Sequence, residues 1–291
     1  MADVIMKGSA AAAAMKDELI KEREAMNAVG VEPCLAIVRI GEKQDDIAYE
    51  SGAVKRMESV GIKVKKFELP ADIQQNELKS KFRSINEDPE VNGILLLRPL
   101  PGDLDDKPLT LMIDPIKDVD SMSPVNSAKV FAADETGYAP CTSEAVIELL
   151  DHNGIELKGK RVTLIGRSMV VGKPLAMLLL ARNATVTICH TRTKSLADEC
   201  RRAEIVVAAA GNANMLHGDM ISPGTIVVDV GINADKDGNI CGDVDFAGVE
   251  PKASMISPVP GGVGSVTTSV LAKHVLKAAR AMNANSWNKL K

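Results

Sequence analysis

Lys160-Arg161-Val162-Thr163-Leu164-Ile165-Gly166-Arg167-Ser168-Met169-Val170-Val171-Gly172-Lys173-Pro174 decides how this chain folds. Val162 to Ile165 is a short, β-favouring apolar run with charge before it and glycine after it. Gly166 permits a sharp turn, and Gly172 lets a following helix approach the strand closely. Leu175 to Ala181 supplies good helix formers. The stretch reads as a buried strand, a glycine turn and a helix start. Such a turn aims backbone N–H groups and a helix N-terminus at one point, which suits a phosphate. The spacing is G-x-S-x-x-x-G rather than G-x-G-x-x-G, so an ordinary strand-to-helix turn fits these residues as well.

Downstream, the apolar runs predict strands at 161–165, 184–189, 204–209 and 225–230. Helices are expected at 170–181 and 195–202, with a further one near 216–220. This is the doubly wound pattern. Residues 231–256 read as loop with one short strand pair, and Pro258-Val259-Pro260-Gly261-Gly262-Val263-Gly264 as a rigid turn. A last helix runs from Thr267 to Met282, before a polar, frayed tail. Upstream, helices at 8–29, 46–60 and 73–86 alternate with strands at 33–40, 63–69 and 92–97, which implies a second parallel sheet. Residues 98–140 are rich in proline and aspartate, too irregular for a regular layer, and a connecting helix follows at 142–150. The expected fold class is α/β: two domains, with a cleft between them as the place for a ligand.

The bulk composition excludes several function classes. A net charge of −4 without a long basic run, and 2% aromatics, argue against nucleic acid as a partner. No apolar run approaches the roughly 20 residues that cross a bilayer. The first residues carry no apolar signal segment, so the expected location is the cytoplasm. Cys34, Cys141, Cys189, Cys200 and Cys241 lack metal-ligand spacing and are read as reduced thiols, with Cys34 and Cys189 in the core. The four histidines form no cluster, and no metal site is expected.

Arg167 sits inside the glycine turn and is either a phosphate contact or a solvated turn arginine. The next strand ends in His190-Thr191-Arg192, where an NAD-selective site usually offers a carboxylate to the ribose. A hydroxyl and a guanidinium there favour a 2′-phosphate, hence NADP over NAD. Tyr49 reads as a packing residue or a site residue, Asp120 as a turn residue or a site residue. Lys55 and Arg56 fit a solvated helix face.

Taken together and in order, several motifs resemble the methylenetetrahydrofolate dehydrogenase/methenyltetrahydrofolate cyclohydrolase (FolD) family over nearly the whole length. They are Tyr49, Lys117-Asp118-Val119-Asp120, Pro140-Cys141-Thr142, Gly166-Arg167-Ser168, Val171-Gly172-Lys173-Pro174, Val228-Asp229-Val230-Gly231-Ile232-Asn233, Gly242-Asp243-Val244 and the turn 258–264. The resemblance implies a folate-site domain at 1–140, completed by a C-terminal helix from 267–291. A Rossmann-like NAD(P)-binding domain is implied at 141–266. It implies oxidation of 5,10-methylenetetrahydrofolate with NADP or NAD, then hydrolysis of the methenyl product to 10-formyltetrahydrofolate. Gly166, Arg167, Ser168, Thr191, Arg192 and Ile232 match cofactor positions. Tyr49, Leu97, Pro99, Asp120, Gly261, Gly262 and Val263 match the folate site, with Tyr49 and Asp120 in the catalytic roles. A homodimer built through the cofactor domain is also implied.

The departures carry as much information. The family reads Tyr-x-x-x-Lys, whereas the residue four after Tyr49 is Ala53. The glutamine that supports that lysine is Leu97, a glycine after the aspartate is Ser121, and Gly-Pro-Met-Thr is Gly264-Ser265-Val266-Thr267. Lys55 is rotated about 200° from position 53 on a helix and is poorly placed to substitute. Hydride loss from the methylene carbon needs alignment but no obligatory proton transfer. Hydrolysis does need proton movement, where an acid/base group contributes about 10²–10⁴-fold. The expectation is a dehydrogenase with weak or absent cyclohydrolase activity. The alternatives are a fully bifunctional enzyme using Arg98, Lys55 or Arg56, and a catalytically silent binding protein.

Overall fold

The computed structural model describes residues 4–236 and 238–287. In chain order the elements are β1 (Val4–Ile5), α1 (Gly8–Ala28), β2 (Cys34–Ile40), α2 (Gln44–Val60), β3 (Lys63–Leu69), α3 (Gln75–Glu87) and β4 (Gly93–Leu96). Then come α4 (Lys107–Met112), α5 (Pro124–Phe131), α6 (Cys141–His152), β5 (Arg161–Ile165), α7 (Gly172–Ala181), β6 (Thr185–Cys189), α8 (Leu196–Arg202), β7 (Ile205–Ala208) and β8 (Ile226–Asp229). The chain continues with β9 (Asn233–Ala234), β10 (Ile240–Cys241), α9 (Phe246–Val249), β11 (Met255–Ile256), α10 (Thr267–Met282) and α11 (Ala284–Trp287). The chain divides into two compact units.

One unit comprises Met1–Ala13 and Thr142–Thr267. Its sheet has six parallel strands in the order β1-β11-β8-β7-β5-β6. Counting from β5, this is the 2-1-3-4-5 form of the doubly wound fold, not the order that begins 3-2-1. Central strands β5, β7 and β8 are short and rich in Val, Ile and Leu, as buried parallel strands are. Residues 4–13 group with this unit, whereas the sequence reading placed them in the domain at 1–140. The cause is β1, which pairs with β11 (Val4 with Met255, Ile5 with Ile256) as an outer strand. Two residues are too few for a periodicity signal.

The other unit comprises Ala14–Cys141 and Thr268–Lys291. Its parallel sheet runs β3-β2-β4. β2 is central and buried along its whole length. Ala36, Val38 and Ile40 face a core shared with Ile94, Leu96 and the α3 residues Leu78, Phe82 and Ile85. Strand alternation therefore turns Leu35, Ile37, Arg39, Leu95 and Leu97 to the opposite face. There α2 buries Glu50, Ala53, Met57 and Val60. The one charge on that strand, Arg39, donates to Glu50 Oε2 at 2.7 Å and lies 3.1 Å from Glu68 Oε1. On the same face α10 comes close at Gly93, where a Cβ would meet Val119 at 2.8 Å and Val275 at 3.1 Å.

Residues 98–140 are not wholly irregular, since α4 and α5 lie there. Both begin with proline in the first turn, where its missing N–H costs nothing. Ser123 caps α5 by accepting from Asn126 N at 3.2 Å. In this proline-rich stretch, prolines start helices. Of the tail, 288–291 lies outside the described residues.

Candidate active site

The glycine turn lies where the doubly wound sheet reverses, since β5 has β6 on one side and β7 on the other. Ligands of such sheets bind beyond the strand ends at that point. Gly166 holds φ +133°, and a Cβ there would fall on the carbonyl oxygen of Ala209, just past β7. A Cβ on Gly172 would fall on the Gly166 carbonyl. Both glycines are therefore required by close backbone approach. The helix start differs from the sequence reading in one respect. Ser168 Oγ accepts from Val171 N at 3.0 Å and Gly172 N at 3.4 Å, so those two N–H groups are already engaged. Arg167 is exposed beside them and available to a phosphate. At the end of β6, His190 Nδ1 accepts from Arg192 N at 3.1 Å and Thr193 Oγ1 from His190 N at 2.8 Å. This folded turn leaves Thr191 and Arg192 exposed, with no carboxylate between them.

Two buried aspartates order the other strand-end loops of this unit. Asp229 accepts from the backbone N of Gly231, Asp243 and Val244, each at 3.0 Å. Burial still pushes its carboxyl up to about 6 against those three donors. Asp243 accepts from Ala210, Gly211 and Asn212 N and from Asn233 Nδ2 at 2.6–3.0 Å. A Cβ on Gly242 would fall on the Asp229 carboxylate, and one on Gly231 on that of Asp243. The motifs around 229 and 243 thus interlock. Ile232, 71% exposed, shares a pocket with Gly261 and Gly262, whereas Val263 is 2% exposed and turned inward. The glycine turn is braced by Gly8, whose N–H donates to Gly261 O at 2.9 Å and whose Cβ position is filled by Gly262 O.

In the sheet unit led by β2, Tyr49 is half-buried on α2. Ala53, one turn on, is 0% exposed, and Leu97 is 7% exposed. Helix packing and strand alternation bring both to the same face of the sheet, as an apolar pair of positions. Lys55 is exposed, Arg98 pairs with Asp106 at 3.2 Å, and Arg56, half-buried, shares the helix stripe of Tyr49 and Ala53. Pro99 is exposed. Asp120 is half-buried and accepts from Cys141 N at 2.9 Å; desolvation raises its carboxyl above the usual carboxylate range, against that bond.

Sequence reasoning gave no role to three buried groups that hold this loop. Asp118 accepts from Met122 N at 2.8 Å, Ser123 N at 2.9 Å and Asn126 Nδ2 at 2.9 Å. Lys117 donates to the carbonyls of Asn86 and Asp88 at 2.7 Å, capping the end of α3. His274, on α10, meets Val119 O at 2.8 Å. A charged pair followed by a buried valine was the available signal for the first two; His274 had none. Ser121 adopts φ +54° with its buried Oγ lacking a hydrogen-bond partner among the described residues. The left-handed region suits glycine, so Ser121→Gly is expected to raise stability by about 1 kcal/mol. Chemical denaturation checks this, and a loss of stability would contradict it.

A glycine turn at the switch point of a doubly wound sheet, beside a strand end bearing Thr191 and Arg192, defines a dinucleotide-binding α/β protein. The chain belongs to the tetrahydrofolate dehydrogenase/cyclohydrolase family: residues 6–120 match its catalytic domain and residues 140–283 its NAD(P)-binding domain. It is 50% identical over 279 residues to the bifunctional protein FolD of Clostridioides difficile, covering 96% of this chain and 97% of that one. The FolD methylenetetrahydrofolate dehydrogenase/cyclohydrolase of Campylobacter jejuni superposes with a TM-score of 0.93 at 39% identity, covering 96% and 99% of the two chains. The Trypanosoma brucei FolD, solved with NADP and an inhibitor, gives 0.91 at 35% identity, with 97% and 98% covered.

Proposed function

We propose that this protein oxidises 5,10-methylenetetrahydrofolate to the 5,10-methenyl cation with NAD(P), and that it accelerates hydrolysis of that cation little or not at all. The observation that carries the second part is Ala53, fully buried on α2, with Leu97 on the same sheet face. Neither position offers an ionisable or hydrogen-bonding side chain. Hydride loss leaves a cation shared by two flanking nitrogens, so orientation is the main requirement. Tyr49 and Asp120 supply it for the folate, with Gly261, Gly262 and Val263 in the folate role implied by the resemblance. When bound, the nicotinamide supplies the hydride acceptor. Gly166, Arg167, Ser168 and Ile232 hold the nucleotide, and exposed Thr191 and Arg192 favour a 2′-phosphate, so NADP is the preferred form.

The second reading, a bifunctional enzyme, is favoured by the names of the relatives at 50% identity. A time course separates the two. Purified protein is mixed with methylenetetrahydrofolate and NADP, then NAD, and reduced nicotinamide and methenyl product are followed separately. Methenyl product that accumulates with reduced cofactor, and leaves at the enzyme-free rate, is the expected result. Removal faster than the enzyme-free control establishes the bifunctional reading instead. The active form is read as a homodimer through the nucleotide-binding unit, supported by its exposed edge strand β6. The cytoplasm is the compartment that fits five cysteines none of which is in a disulfide among the described residues.

A further inference from the structure

The Val119–Asp120 peptide is held from behind by two side chains that the reaction itself does not use. Val119 O accepts from Cys141 Sγ at 3.4 Å and lies 2.8 Å from His274 Nδ1. A carbonyl oxygen only accepts, so His274 carries its proton on Nδ1, which fixes the tautomer. The sulfur and that nitrogen are 3.8 Å apart. The backbone N–H of the same Cys141 donates to Asp120 Oδ1 at 2.9 Å. One residue thus binds both the carboxylate and the carbonyl that precedes it. Val119, Cys141 and His274 are all buried.

The imidazole is itself wedged. Tyr138 meets it edge-on, with ring centroids 5.3 Å apart. Lys277, one turn along α10, lies 4.8 Å from the centre of the Tyr138 ring and donates to the carbonyls of Glu135 and Gly137. Helix α10 therefore clamps the start of α6 and the loop carrying Asp120 together. Two hydrogen bonds to one carbonyl restrict its rotation, and the next side chain inherits that restriction.

We infer that His274 and Cys141 are positioning residues for Asp120: His274 through the Val119 carbonyl, and Cys141 through that carbonyl and its thiol's own contact with the carboxylate, set the orientation of the carboxylate that receives the folate. This rests on the folate reading of Asp120 above. The test is steady-state kinetics of the full-length protein, with KM for methylenetetrahydrofolate and KM for NADP measured separately. His274→Ala is expected to raise the folate KM about tenfold, the scale of one lost hydrogen bond, with the NADP KM unchanged within about twofold. His274→Asn, whose amide N–H can take the place of Nδ1–H, is expected to restore most of that loss. Cys141→Ala, which keeps the backbone donor and removes only the thiol, is a milder second variant and is expected to shift the folate KM in the same direction.

Equal changes in both KM values, or no rescue by Asn, would overturn the inference. If His274→Ala does not fold, the Cys141→Ala comparison decides alone: an unchanged folate KM overturns it. Asp120→Ala separates the two levels of argument. If Asp120→Ala leaves the folate KM unchanged, the folate reading of Asp120 fails. If it raises that KM and the His274 and Cys141 variants do not, only the positioning role fails.

Discussion

Gly242→Ala is expected to cost at least 3 kcal/mol of stability, a large fraction of the about 5–15 kcal/mol that holds an ordinary protein folded. The added methyl would occupy the space of the Asp229 carboxylate. That carboxylate cannot retreat cheaply, because the N–H groups of Gly231, Asp243 and Val244 all end on it. Each buried donor left without its acceptor costs about 1–3 kcal/mol, and overpacking adds about 1–3 kcal/mol. The damage spreads, since Asp243 is in turn the acceptor for the loop after β7. Urea denaturation with NADP affinity as a second readout measures it. Gly52→Ala is the control: nothing surrounds its Cβ position, it lies on a helix, and alanine there should be neutral or stabilising. A Gly242→Ala protein within about 1 kcal/mol of wild type would falsify the interlock.

Ala53→Lys is expected to destabilise the protein by about 2–4 kcal/mol while restoring little hydrolysis. Position 53 has no exposed surface, and the residue facing the same side of the sheet at 97 is leucine. A lysine placed there desolvates its ammonium without a fixed acceptor and overfills the layer beneath α2. Adding Leu97→Gln supplies an acceptor. The double variant should therefore regain part of the lost stability and show more hydrolysis than the two single changes combined, approaching the 10²–10⁴-fold typical of a positioned acid/base group. The readouts are methenyl decay against an enzyme-free control and the midpoint of thermal unfolding. A large gain in hydrolysis from Ala53→Lys alone would show that position 97 does not matter.

Much of the architecture was legible because its signals are local. The run Arg161–Ile165 and the helix Thr267–Met282 fall where periodicity puts them. The glycine turn was legible as a turn, and the structure gives its reason in the Ala209 carbonyl. What escaped depends on partners distant in sequence. Nothing near Val4 and Ile5 announces that they pair with residues 255 and 256. Helices α4 and α5 escaped because proline starts a helix or interrupts one according to its position in the first turn. The candidate site divides similarly. Ala53 and Leu97 were visible as departures from a pattern, but their shared sheet face required the strand register. His274 is separated from Val119 by most of the chain and carries no motif.

The pairing of β1 with β11 also has a consequence for how the molecule is born. On the ribosome Val4 and Ile5 emerge about 250 residues before their partners Met255 and Ile256. Until then the N-terminal strand has no ladder to join, and Gly8 has no Gly261 carbonyl to brace. Closing so long a loop is slow, and the reward comes only at the end. Nascent or truncated chains can complete the sheet led by β2 up to β4, but not the braced glycine turn. The braced turn at 258–264 is thus completed late in synthesis, and a fragment ending before it lacks the Gly8–Gly261 brace.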